Sequence, residues 1–230
     1  MATAQNQLIE RLPRKERLRL LALCEPVQLV LGDVLCDPGK DTRHLYFPVD
    51  GFISLVAPID GKPALEVGMV GREGMLGVQL VLGVASTPLR GLVQGPGMAL
   101  RIAAPAFRRE LAQSPALLRG LNRYLYVLMA QLTSSAACLR FHQIGPRLAR
   151  WLLMSQDRAH SDSFHVTHEF LAYMLGVRRV GITAAAGVLQ AGGLIEYSRG
   201  ALHVLNRRGL EAASCSCYQS DRNIYSDLLA

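Results

Sequence analysis

At 230 residues, half of them hydrophobic, the chain is long enough to bury one large core or two small ones. Its net charge of +7 favours a polyanionic partner, and the lack of any uncharged apolar run of about 18 residues excludes a membrane-spanning helix. Five scattered cysteines (Cys24, Cys36, Cys138, Cys215, Cys217) form no disulfide framework, and charges interrupt the N-terminus where a signal peptide needs its apolar segment, so a cytoplasmic protein is expected.

The opening residues, leucine-rich and charged at helical spacing, predict a short helical lead-in. From Pro26 to about Phe107 the pattern becomes short alternating runs: VQLVL, HLYFPV, GFISLV, ALEVGMV, LRGLVQ and MALRIA. Each suits a strand, and the turns DPGKD, VDG and IDGK separate them. Asp60-Gly61 is the clearest hairpin signal, since glycine takes positive φ without steric cost. Many short strands at this spacing predict an antiparallel sandwich or jelly-roll-like β-roll.

Near Pro115 a long helix begins. Leu118, Leu121, Leu125, Leu128, Leu132, Ser135 and Leu139 follow the alternating 3 and 4 spacing of a coiled-coil seam. Tyr124, Tyr126, Val127 and Met129 leave other faces apolar, so one face can cover the roll while the leucines meet a second copy. A helix packed only on its own domain would carry the same leucines; a homodimer is the reading favoured. Gly145-Pro146 breaks the pattern and starts a new helix, PRLARWLLMSQDRA. The expected organisation is α+β: a β-roll with its lead-in over 1–114, a long helix and hinge over 115–145, and a third unit over 146–230.

In the third unit Thr167 is suited to N-cap the helix HEFLAYML, with Leu171, Met174 and Leu175 inward. Gly176 turns the chain into a second helix, from about Arg178 to Ala191, with Ile182, Ala185, Ala186 and Leu189 as its buried stripe. Two helices about a glycine turn make a helix-turn-helix. LIEYSRGALHVL then reads as a hairpin turning at Ser198-Arg199-Gly200, a wing, and the tail from Arg207 to Leu229 is again helical in pattern. Between Arg140 and Arg208 lie nine arginines and no lysine, against four acidic residues. The second helix faces outward with Arg179, Val180, Thr183, Ala184 and Gly187, a narrow surface with its cations at the N-terminal end. Cations there oppose the helix dipole by a few tenths of a kcal/mol, a cost that a phosphate or guanine edge more than returns. Thr167, Arg178, Arg179, Val180, Thr183, Ala184 and Arg199 are therefore the candidate residues for double-stranded DNA.

Roll, leucine-seamed helix, break and winged helix-turn-helix, in that order over nearly the whole chain, resemble the Crp–Fnr superfamily of bacterial transcription regulators. The resemblance rests on GDVLCDPGKDTRHLYFPVDGFISLV, with Gly32, Leu35, Pro38, Gly39 and Gly51, and on VTHEFLAYMLGVRRVGITAAAGVLQAGGLIEY. It implies a dimer that senses a signal in the roll, presents two recognition helices to a palindromic operator and contacts RNA polymerase. Members that bind cyclic nucleotides carry a Gly-Glu-Leu turn and, further on, an Arg-Ser pair. Here the turn is Gly74-Met75-Leu76-Gly77, Thr87-Pro88 stands near the Arg-Ser position, and Arg90 is out of register. Gly74, Met75, Leu76, Gly77, Thr87 and Arg90 are the effector-pocket candidates, but cAMP or cGMP in the usual mode is not expected, since a buried phosphate would lack its guanidinium.

The oxygen sensors' N-terminal cysteine cluster is absent, so no iron–sulfur cluster is expected, and Cys215 with Cys217 supplies only two thiols toward a four-coordinate metal. Only His44 lies in the β region, His160, His165 and His168 lie near the helix-turn-helix, and no enzyme motif occurs. The expectation is a DNA-binding regulator, controlled by an unidentified effector or by none. The alternative is a signalling module whose winged helix binds protein.

Overall fold

A computed structural model of the chain describes residues 6–60, 62–198 and 200–229. The lead-in forms two helices, α1 (Gln7–Glu10) and α2 (Arg14–Ala22). Seven strands follow: β1 (Glu25–Leu29), β2 (Val34–Cys36), β3 (His44–Pro48), β4 (Phe52–Ile59), β5 (Lys62–Val70), β6 (Arg90–Gly95) and β7 (Gly97–Ala103). They form two antiparallel sheets, ordered β1-β7-β3 and β2-β6-β4-β5, the roll anticipated from the alternating runs. β4 and β5 pair as a hairpin with Ile59 opposite Lys62; Gly61 at its tip lies outside the described residues. β2 was not predicted, being three residues long and half exposed.

The β region ends earlier than predicted, because α3 (Ala104–Gln113) starts before Phe107 and buries that side chain. α4 (Pro115–Phe141) begins where the sequence placed it, with the Ser114 hydroxyl accepting from Leu117 N. α5 (Ile144–Ala159) holds Pro146 in its first turn, where a missing N–H costs nothing. Then come β8 (Ser163–His165), α6 (His168–Leu175), α7 (Arg179–Ala191), β9 (Ile195–Ser198), β10 (Ala201–Val204), α8 (Arg207–Ala213) and α9 (Cys217–Leu229). β8 was also missed: it adds a third strand to the wing, in the order β8-β10-β9.

α4 divides the predicted leucine seam. Leu121 and Leu128 turn inward with Leu117, Tyr124 and Val127 and fill the protomer's own core, so these two cannot meet a partner. Leu118 and Leu132 are exposed, Leu125 and Leu139 are half-buried, and Met129, 64% exposed, stands between them. The outward stripe thus runs through 118, 125, 132 and 139, one heptad apart, with Met129 in place of the two lost leucines.

Two apolar cores interlock across the α4–α5 break. The roll's core takes in Leu229 of α9, while Phe52 of β4 and Met69 of β5 join the core of the C-terminal unit. One close approach fixes how α4 lies on the roll: a Cβ at Gly74 would collide with the buried Tyr124 hydroxyl. Gly74→Ala should therefore destabilise the protein by about 1–3 kcal/mol in urea unfolding, as overpacking does. Gly120→Ala, mid-helix with nothing near its would-be Cβ, should instead stabilise it by about 0.5–1 kcal/mol.

Candidate nucleic-acid interface

α6 and α7 cross at 109°. The Thr167 hydroxyl caps α6 by accepting from Phe170 N at 3.1 Å, and Gly176, at φ 62°, ends it in the left-handed conformation that glycine adopts freely. Arg178 is extended and precedes α7 as its N-cap rather than forming its first turn, and no side chain caps that helix. Its buried stripe is the predicted one: Ile182, Ala185, Ala186 and Leu189 all lie in the core. Arg178, Arg179, Val180, Thr183 and Ala184 are all exposed on one outward surface, with Val180 and Val188 each 72% exposed.

Two candidates spend their hydroxyls inside the protein. Thr167 caps α6, and the Thr183 hydroxyl donates to Arg179 O at 3.2 Å while it meets His168 Nδ1 at 3.0 Å. His168 also stacks on Tyr197 of the wing, ring centroids 4.3 Å apart, and Tyr197 donates to Val166 O. Burial, and then the nearby Arg179 charge, lower the His168 pKa. This stack ties the wing to both helices of the hairpin, a link no local pattern announces. Arg199, at the wing's turn, lies outside the described residues.

The basic segment is less basic at its surface than its composition suggests. Three of its nine arginines, Arg147, Arg150 and Arg158, are buried on α5. Arg147 donates to the Leu175 carbonyl at the end of α6. Arg150 pairs with Asp221 of α9 at 2.6 Å, and Arg158 pairs with Glu73 of the roll at 2.8 Å. Arg207 is held by Asp157 and Glu211. Among the described residues, Arg140, Arg178, Arg179 and Arg208 of this segment are exposed and in no ion pair.

The effector candidates separate too. Met75, Leu76, Gly77 and Thr87 line a cavity of about 190 Å³ between the roll and α4, with Leu55, Leu125, Met129 and Leu132. Arg90 is not among its lining residues and pairs on the surface with Asp37, and Gly74 packs on Tyr124. Sequence reasoning missed Gln131, whose buried amide lines the same cavity with neither its oxygen nor its nitrogen partnered. One residue outside the turn, Glu73 also accepts from Gly71 N, so the segment that floors the cavity is tied to α5 through Arg158.

A second roll-to-α5 contact is titratable. Glu66 of β5 accepts from Ser54 at 2.5 Å and from the single tryptophan, Trp151, at 2.8 Å. Burial pushes its carboxyl up to about 7 against those two hydrogen bonds. The folded state therefore holds this proton more tightly than the unfolded chain does, so stability should fall as pH rises from about 4.5 to about 7 and level off above. Trp151 emission should titrate with its midpoint near pH 7, and Glu66→Gln should abolish that titration and remove this part of the pH dependence of stability.

The family model for the Crp-like helix-turn-helix domain matches residues 146–213. Among curated proteins none matches. FixK2 from Bradyrhizobium japonicum superposes with a TM-score of 0.70 at 12% identity, covering 84% of this chain and 98% of that one. The c-di-GMP-responsive global regulator CLP from Xanthomonas campestris gives 0.67 at 18%, covering 84% and 99%. A Crp/Fnr-family transcriptional regulator from Thermus thermophilus gives 0.63 at 21%, covering 83% and 98%. At these identities the superpositions show the fold, and that fold is the one the sequence resembles.

Proposed function

With a Crp-like helix-turn-helix domain over residues 146–213 as premise, we propose that the chain is a homodimeric, sequence-specific DNA-binding transcription regulator. The observation that carries this is the outward face of α7: small side chains along its body, and two exposed arginines at an uncapped N-terminus. Such a face enters a major groove, with first-turn N–H groups and guanidinium groups meeting phosphate or guanine. Val180 and Ala184 suit thymine methyls. Thr167 and Thr183 act by holding the frame, Thr183 offering DNA only its methyl.

The heptad stripe of α4, Leu118, Leu125, Leu132 and Leu139 with Met129, is the dimer seam in this reading. The cavity opens beside that seam, since Leu125, Met129 and Leu132 line it as well. Among the described residues no lysine or arginine lines it, so a cyclic nucleotide's phosphate would be buried unpaired. A compact, uncharged, largely apolar molecule with one group for the Gln131 amide fits it. Its signal would pass from Met75–Gly77 through Glu73 to Arg158, and so to the domain that carries α7.

Salt titration of binding to duplex DNA tests the reading. Wild-type affinity should fall steeply with salt, and Arg178→Ala should flatten the log–log slope by about 0.9 for each phosphate contact removed. Arg179→Ala should cost about 1–3 kcal/mol and relax the preference at one base position. If both variants, folded by circular dichroism, bind DNA like the parent, α7 is not the reading helix.

A further inference from the structure

Cys215 and Cys217 alone are too few for a metal, but the fold brings them two more ligands. Cys138 and His142 stand one helical turn apart at the end of α4, and the break between α8 and α9 places Cys215 and Cys217 against them. The three sulfurs and one imidazole nitrogen all lie within 4.8 Å of one another. Cys138 Sγ is 3.5 Å from Cys215 Sγ, and Cys217 Sγ is 3.6 Å from His142 Nδ1. Zinc–sulfur bonds of about 2.3 Å in a tetrahedron put neighbouring ligand atoms about 3.8 Å apart. The gap is therefore sized for one ion: too wide for a sulfur–sulfur bond of about 2.05 Å, and too narrow for a cluster of several metals.

We propose that Cys138, His142, Cys215 and Cys217 bind a single zinc ion as a closed, four-coordinate structural site. Three thiolates and a neutral imidazole fill every position, leaving none for a substrate. Binding releases up to three thiol protons to solvent and moves no electrons. The net negative charge that results is met by Arg147 and Arg150, both within electrostatic reach of Cys138 and Cys215. Cys138 and Cys215 are buried and their partners half-buried, so the ion would be shielded from exchange.

Position gives the site its consequence. His142 caps the C-terminal end of α4, two residues before α5 begins at Ile144, and Cys215, at the α8–α9 break, lies 77 residues from Cys138. The ion joins the start of α9 to the end of α4, and α9 in turn holds α5 through the Arg150–Asp221 pair, so the ion restricts the angle between α4 and α5. Under the proposed dimer, that angle sets the separation of the two α7 helices. The metal proposal itself does not depend on DNA binding.

The test is elemental analysis of the full chain purified under reductant, followed by chelation and reloading with cobalt(II). About one zinc per chain is expected, and cobalt should give the thiolate charge-transfer band and intense visible bands of a tetrahedral site. Cys217→Ser, at a half-buried position, should lower bound metal at least tenfold, while Cys24→Ser should leave it unchanged. Chelation should lower the thermal midpoint of the wild type and not that of Cys217→Ser. Reduced, folded wild type that retains no zinc and develops no cobalt band would overturn the proposal. So would iron present with inorganic sulfide, or metal content equal in Cys217→Ser.

Discussion

Three arginines on one helix hold this molecule in register. From α5, Arg147 reaches the carbonyl that ends α6, Arg150 reaches Asp221 on α9, and Arg158 reaches Glu73 on the roll. All three are buried, and for the two ion pairs, Arg150–Asp221 and Arg158–Glu73, removing one partner strands a charge at a cost of about 3–5 kcal/mol, although an intact pair contributes little net stability. Their effect is on orientation. The helix-turn-helix, α9 and the Glu73 segment of the roll are each held by one of these contacts to α5, and the hydrophobic faces close around that arrangement.

This explains why composition overstated the surface charge. The nine arginines between Arg140 and Arg208 read as one basic surface, yet a third of them are internal. The cations left at α7 are few and specifically placed, at the one helix end where the backbone itself attracts anions. A small number of contacts at a defined site favours a reader of sequence over a nonspecific binder of polyanions.

The parts legible in the sequence are those set by local periodicity. The stripe Ile182, Ala185, Ala186 and Leu189, the Thr167 cap, the Gly176 turn and the six longer strands all follow from spacing and turn chemistry. The parts that were hidden depend on what lies opposite. α4 is apolar on two faces, and nothing local says that Leu121 and Leu128 face the roll while Met129 faces outward. Three-residue strands such as β2 and β8 exist because partners pair with them. Arg90 follows Thr87-Pro88 closely in sequence but pairs with Asp37 in space. Cys138 and Cys215 carry no joint signal until the fold closes a span of 77 residues.

The site, the seam and the cavity thus share one lever arm: the roll meets α4, α4 meets α5 at a short break, and α5 carries α7. The central claim is that two such arms present two recognition helices to one DNA site. Selection of bound sequences from a random duplex pool by the purified protein tests it most directly. The account predicts enrichment of a two-fold symmetric site, its half-sites about one helical turn, 10–10.5 base pairs, apart or a multiple of that. Enrichment of a single unpaired half-site, or of no sequence at all with the protein folded, would contradict it.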